Sequence, residues 1–248
     1  MSKDARGWRS KFAVVAPSTN TIVQPDMDDF RVRGVTNHFG RIYIPNMKVK
    51  NDEEFVALVQ AIGATLYDAV DRCMTSEPDY LVMGMSALMF WDGRAASERR
   101  MQELSDHCGL QVSAGSFACE SALNLTGAKR IAVISPYFPV SDKNVTLFFQ
   151  DCGFEVVRFR GLKCSSPVAI AQVTEATLRT HIAEMDGDDV DAFVQVGTNL
   201  SMCELCTELE VEYGKPFVAI NAATYWHALR AMGIYDQFSG HGPLFEKH

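Results

Sequence analysis

One pattern occurs twice in this chain, once in each half. Asp79-Tyr-Leu-Val-Met-Gly-Met-Ser-Ala-Leu88 and Asp191-Ala-Phe-Val-Gln-Val-Gly-Thr-Asn-Leu200 both run acid, apolar strand, glycine, small hydroxyl residue, leucine. The match extends outward in register. Lys11–Ala16 and Arg130–Ser135 are short strands rich in branched residues, followed by Pro17-Ser18 and Pro136-Tyr137. Gly40–Ile44 and Phe154–Arg158 read as a second strand in each half, and Leu110–Ser113 and Lys215–Ile220 as the last.

Helical periodicity fills the gaps. Asp52 is placed to cap a helix with Phe55, Leu58, Val59, Ile62, Leu66, Ala69 and Val70 on one face. Further helices are expected over Gly93–Cys108, Ala118–Leu125, Val140–Cys152, Met202–Tyr213 and Tyr225–Met232, and over Thr174–Met185 with Thr174 as its cap. Gly127, Gly153 and Gly233 are the stop signals.

A duplicated βαβ-rich unit predicts an α/β fold. Each half is a mainly parallel sheet with right-handed crossovers, and a pseudo-twofold axis relates the halves. The division expected is 1–116 plus 225–248 for the N-terminal half with its closing helix, and 117–224 for the C-terminal half. Ligands bind outside the carboxyl ends of such strands. Six loops therefore become candidates: Pro17–Asn20, Met85–Ala87, Ala114–Ser116, Pro136–Tyr137, Gly197–Asn199 and Asn221–Thr224. The expectation is one small cleft per chain that pools all six.

Composition narrows the partners. The net charge of -8 argues against a nucleic-acid backbone or an anionic membrane surface. The longest apolar runs are strand-sized, so no membrane span is expected. The start, Met1–Ser10, is polar and lacks a signal-peptide core, which reads as a cytoplasmic protein. Seven cysteines in such a chain read as free thiols. Cys203-Glu-Leu-Cys206 has no second pair or neighbouring histidines to complete a metal site, so no metal is expected.

The candidate loops carry neutral hydrogen-bond donors. Ser18, Asn20, Ser86, Ser116, Thr198, Asn199 and Thr224, with backbone N–H groups at helix starts, suit a carboxylate or an oxyanion. The same residue types also cap helices and close turns. Tyr43 and Tyr137 stand at strand ends, where a tyrosine is usually core; Tyr137 sits at the loop itself, where its hydroxyl is expected to face a ligand. Met83, Met85, Met89 and Trp91 read as pocket wall or core, with Ala87 and Gly197 lining the loops. His227 reads as a packed or capping residue, and His241 and His248 as solvent-exposed. Gly84-Met-Ser-Ala-Leu88 approaches the G-x-S-x-G elbow without its last glycine, and no His–Asp pair is placed to serve Ser86.

Several segments resemble the maleate isomerase and arylmalonate decarboxylase family of the Asp/Glu racemase superfamily. They are Val15–Thr21, Asp79–Phe90, Ala128–Tyr137, Thr198–Leu200 and Gly214–Arg230, the last with Asn-x-Ala-Thr-x-Trp-His-Ala-Leu-Arg as its most specific part. The resemblance implies two Rossmann-like halves with a cofactor-free active site between them. It implies catalytic cysteines after the central strand of one or both halves. This sequence departs there, with Gly84-Met85 at the first position and Gly197 at the second. What matches is a carboxylate cradle: Ser18, Asn20, Ser86, Tyr137, Thr198 and Asn199, with Tyr43 resembling a pocket tyrosine.

The expectation is a cofactor-independent isomerase or decarboxylase-like lyase acting on a small carboxylic acid through an enediolate or oxyanion state. Each well-placed donor would be worth about 3–4 kcal/mol. Tyr137, Tyr43, Cys119 and Glu120 are the candidate proton carriers. Cys119 is included because a helix N-terminus lowers a thiol pKa. Two alternatives stand beside this reading: a hydrolase or hydratase using Ser86 or a bound water, and a non-catalytic carboxylate-binding protein. A homo-oligomer is left open.

Overall fold

The computed structural model describes residues 4–248; Met1–Lys3, which begin the polar start of the chain, lie outside the described residues. Through Thr126 the elements are β1 (Ser10–Pro17), α1 (Val23–Asp29), β2 (Val35–Ile42), α2 (Asp52–Met74), β3 (Tyr80–Met83), α3 (Gly93–Cys108), β4 (Val112–Ala114) and α4 (Gly115–Thr126). From Arg130 onward they are β5 (Arg130–Ser135), α5 (Pro139–Asp151), β6 (Glu155–Gly161), α6 (Pro167–Ile170), α7 (Glu175–Met185), β7 (Ala192–Gln195), α8 (Cys203–Tyr213), β8 (Phe217–Ala219), α9 (Ile220–Ala231) and α10 (Pro243–Lys247).

Two parallel sheets result, with orders β2-β1-β3-β4 and β6-β5-β7-β8. The identical order is the duplication in three dimensions. Every residue of β3 and of β7 is buried, as expected for central parallel strands covered on both faces. Two hydrophobic cores flank the sheets, and both draw on both halves. One gathers Phe55 and Leu58 of α2 with Phe148 and Phe149 of α5, and the other gathers Phe12 and Tyr80 with Tyr225 and Leu229.

The last strand of each half ends without a loop. Ala114 is followed directly by α4, and Ala219 by α9. These helices pack on each other. A Cβ on Gly115 would meet Ile220 Cγ1 at 2.5 Å, so the glycine is what permits the approach. The expected exit loops Ala114–Ser116 and Asn221–Thr224 are therefore helix starts. Their small residues serve helix packing, where the sequence suggested turns.

Other boundaries shift for local reasons. The second strand begins earlier than expected, at Val35. Asn51, one residue before Asp52, caps α2 by accepting from Glu54 N at 2.9 Å. Asp52 instead accepts from Val140 N at 3.0 Å, which ties α2 to the second half. Thr174 caps α7 as expected, and α3 has the expected bounds. The short helices α1 and α6 carry too little periodicity to read from sequence. His227 is packed as expected, its Nδ1 2.6 Å from Ser113 Oγ, while His241 is half-buried, edge-on to Phe30 at 5.2 Å, and not solvent-exposed.

Candidate active site

Loops after β1, β3, β5 and β7 converge on one small cavity. These four strands are the inner pairs of the two sheets, so their carboxyl ends share one side of the molecule. Asn20 comes from the first loop, Met85, Ser86 and Ala87 from the second, Tyr137 from the third, and Gly197, Thr198 and Asn199 from the fourth.

The centre of the cluster is a pair of hydroxyls. Ser86 Oγ and Tyr137 OH lie 2.6 Å apart, and both residues are buried. The Thr198 backbone N–H donates to Ser86 Oγ at 3.3 Å. Burial pushes the Tyr137 hydroxyl far above the usual tyrosine range, against an opposing effect of the Ser86 hydrogen bond. Tyr137 is thus a neutral donor at neutral pH.

Thr198, Asn20 and Asn199 hold the two halves together. Thr198 Oγ1 donates to Gly84 O at 3.0 Å and accepts from Asn20 Nδ2 at 3.0 Å. Asn20 Oδ1 in turn accepts from Ile22 N and Val23 N and fixes the start of α1. Asn199 Oδ1 accepts from Thr21 N at 2.9 Å, and its Nδ2 donates to Pro167 O at 2.9 Å. These side chains spend their polar atoms on the scaffold. Among the described residues, no protein acceptor takes the backbone N–H of Met85, Ser86 or Asn199. Those amides and the Ser86–Tyr137 pair are the donors left for a ligand.

The opposite wall is apolar. Phe55, Leu58, Val59 and Ile62 of α2 form it, with Ile44 and with Pro167 and Ile170 of α6. Sequence periodicity assigns the α2 residues to a buried face without distinguishing sheet-facing from cavity-facing positions. Of that stripe, Leu66, Ala69 and Val70 belong to the core and do not line the cavity. No Asp, Glu, Lys, Arg, His or Cys lines the cavity among the described residues.

The remaining candidates lie elsewhere. Tyr43 is 67% exposed, and only its carbonyl is engaged, by Thr65 Oγ1 at 2.9 Å. Its hydroxyl is not in the cavity wall because β2 ends at Ile42, just before it, and the side chain faces solvent. Ser18 is exposed, and its hydroxyl pins the chain at Ile44, accepting from Ile44 N at 3.1 Å. Ser116 is buried inside α4 with no partner for its hydroxyl. Cys119 is buried one turn into α4, and desolvation pushes its thiol far up, opposite to the expected effect of a helix start. Glu120 pairs with Arg94 at 3.4 Å. Trp91 packs at the edge of the core, and Met83 and Met89 are fully inside it. All seven cysteines are free, and no metal-binding group of three ligands occurs among the described residues. No helix among these residues is long and apolar enough to cross a membrane.

The chain is similar to known proteins over nearly its whole length. The maleate isomerase of Pseudomonas putida is 28% identical over 248 residues, which cover 93% of this chain and 94% of that protein. The maleate isomerase of Alcaligenes faecalis is 24% identical over 255 residues, with the same coverage of 93% and 94%. Among solved structures, the Nocardia farcinica maleate cis-trans isomerase superposes with a TM-score of 0.87 at 18% identity, over 96% of this chain and 98% of that one. That structure is a cysteine-to-serine mutant with a covalently bound succinylcysteine intermediate. An arylmalonate decarboxylase structure superposes with a TM-score of 0.73 at 19% identity, over 95% and 98% of the two chains. These superpositions show the fold. Residues 60–245 match the family model described as arylmalonate decarboxylase, and the chain belongs to that family.

Proposed function

We propose that this protein is a cofactor-independent lyase of the decarboxylase kind, acting on a small carboxylic acid that bears an apolar substituent. The observation that carries the reading is the pairing of the Ser86 and Tyr137 hydroxyls with a cavity wall that holds no charged residue and no thiol.

The chemistry follows from that polarity. One carboxylate of the substrate sits at Ser86, Tyr137 and the free loop amides. A second carboxylate would face Phe55, Leu58 and Val59, where an ion has no partner and its desolvation is costly. Breaking its C–C bond releases carbon dioxide and sends the bonding pair into the retained carboxylate. The resulting enediolate places its charge at the neutral donors, which are preorganised to meet it. The carbon then takes a proton. Of the four candidate carriers, Tyr137 alone lines the cavity, and its neutral hydroxyl has a proton to give. Isomerisation through a cysteine adduct, the species named for the Nocardia enzyme, would need a thiol that this wall does not supply. Hydrolysis through Ser86 would need a base, and its hydroxyl meets only Tyr137 and the Thr198 amide.

The test is turnover of aryl- and alkyl-substituted malonates beside maleate, followed by proton NMR in deuterium oxide. Carbon dioxide release with one deuteron at the vacated carbon is expected. Ser86→Ala should be slower by about 10²–10³-fold without being inactive, the usual cost of one oxyanion donor. Conversion of maleate without malonate decarboxylation, or a covalent adduct on Ser86 by intact-protein mass spectrometry, would overturn the proposal. Binding without change would favour a non-catalytic carboxylate-binding role.

A further inference from the structure

A line of contacts reaches the Ser86–Tyr137 pair from outside the cavity. It begins at Asp26 on α1, which does not line the cavity. Asp26 Oδ2 accepts from Asn221 Nδ2 at 2.8 Å and from Cys203 Sγ at 3.2 Å. Asn221 Nδ2 also donates to Thr198 O at 2.9 Å. Thr198 N then donates to Ser86 Oγ. The contacts join α1 of the first half to α8, α9 and the β7 exit of the second.

The chemistry of Asn221 makes Asp26 decisive. A side-chain amide has two N–H bonds and one oxygen. Here both N–H bonds are used, one on Asp26 and one on Thr198 O, while Asn221 Oδ1 is buried without a partner. Flipping the amide would turn that oxygen toward a carbonyl and a carboxylate, both acceptors. The ionised carboxylate accepts and cannot donate, so it holds the amide in one orientation. Without it, nothing but the Thr198 carbonyl would select that orientation. Burial raises the Asp26 pKa, and the Asn221 and Cys203 hydrogen bonds oppose the rise.

We infer that Asp26 is a positioning residue for the reaction at Ser86: through Asn221 it holds the Gly197–Asn199 loop so that the Thr198 N–H meets Ser86 Oγ. The inference rests on the reading of Ser86 as an oxyanion donor. Asp26 touches no substrate and acts only through the loop.

Hydrogen–deuterium exchange of the intact protein, read on a peptide containing Thr198, tests the arm without any substrate. Asp26→Ala and Asn221→Ala should raise exchange there by about tenfold, while peptides from β1 and β5 stay unchanged. Asp26→Asn keeps an oxygen acceptor for both partners and should restore protection. Turnover gives the second readout. Asp26→Ala should lower kcat by about 10–100-fold with KM changed less than about threefold. In a Ser86→Ala background the same change should cost less than about twofold, because the arm ends on the atom removed. Unaltered exchange in a folded Asp26→Ala protein would overturn the inference. So would an Asp26→Asn variant as exposed as Asp26→Ala, or multiplicative losses in the double variant. If Asp26→Ala does not fold, Asn221→Ala cuts the same arm from the other side. A wild-type protein that turns over no malonate would count against the decarboxylase reading alone, since the exchange result stands apart from it.

Discussion

Gly197 occupies the place where the family resemblance puts a catalytic cysteine, and the structure gives a reason why a thiol cannot simply be returned there. Its φ is 99°, in a region that residues with a Cβ rarely enter. A Cβ built on it would lie 2.5 Å from Pro136 Cγ and also against Pro136 Cδ. The proline ring is rigid and is bonded directly to Tyr137, so relief must displace the residue that carries the cavity hydroxyl. A strained backbone of this kind costs about 1–3 kcal/mol, and an overpacked contact about as much again. The sum is roughly 2–6 kcal/mol, which at this chain length lowers Tm by about 4–24 °C. Calorimetry of Gly197→Ala and Gly197→Cys should show similar losses, because both add the same Cβ. Met85→Cys, whose side chain already lines the cavity, should lose less. A Gly197→Ala protein that melts within about 2 °C of wild type would refute the reasoning, since strain and clash would both have been absorbed cheaply.

Two further outcomes are expected. Turnover should survive iodoacetamide, because none of the seven thiols lines the cavity and burial pushes those of Cys119, Cys203 and Cys206 well above the usual range; stoichiometric inactivation that substrate prevents, mapped to one cysteine, would contradict this. Burial lifts the Asp142 carboxyl to about 6 against the pull of its Ser135 hydrogen bond. A folded pKa above the unfolded one means that the fold binds the proton more tightly, so this group's contribution to stability grows as pH falls through about 6 and is lost above it. Asp142→Asn should therefore melt higher than wild type at about pH 8, with the gap closing near pH 4. A gap that widens toward acid would show the sign to be wrong.

The architecture was legible because buried parallel strands read as continuous apolar runs, and two halves in the same register are hard to obtain otherwise. Strand ends follow from strands, which is how Ser86, Tyr137 and the Thr198 loop could be singled out. Which ends converge was not legible. Ala114-Gly-Ser116 has turn composition, yet Gly115 is there so that α4 can approach Ile220 of α9. The cavity wall was hidden for a related reason. Phe55, Leu58, Val59 and Ile62 share the period of Leu66 and Val70, and a helical period reports that a face is covered without reporting by what. Helix α1 is seven residues long with Pro25 inside it, below what periodicity detects, and so the role of Asp26 needed coordinates.

Duplication also leads to expect more symmetry than the site has. Ser86 and Thr198 follow equivalent strands, as do Ser18 and Tyr137. Yet Ser86 Oγ meets the Tyr137 hydroxyl in the cavity, while Thr198 Oγ1 is tied to Gly84 O and Asn20. Tyr137 enters the cavity, while Ser18 turns back to Ile44. Each equivalent pair thus supplies one hydroxyl to the site and one to the scaffold, and the scaffold member holds the halves or the adjoining chain in place. The apolar wall is likewise built mainly from α2 of one half and closed by α6 of the other. A twofold frame carrying unlike side chains gives a cavity with one polar side and one apolar side. On the proposed reading, the retained carboxylate meets the donors while the substituent lies along the apolar wall, because the reverse orientation would leave the donors facing hydrocarbon.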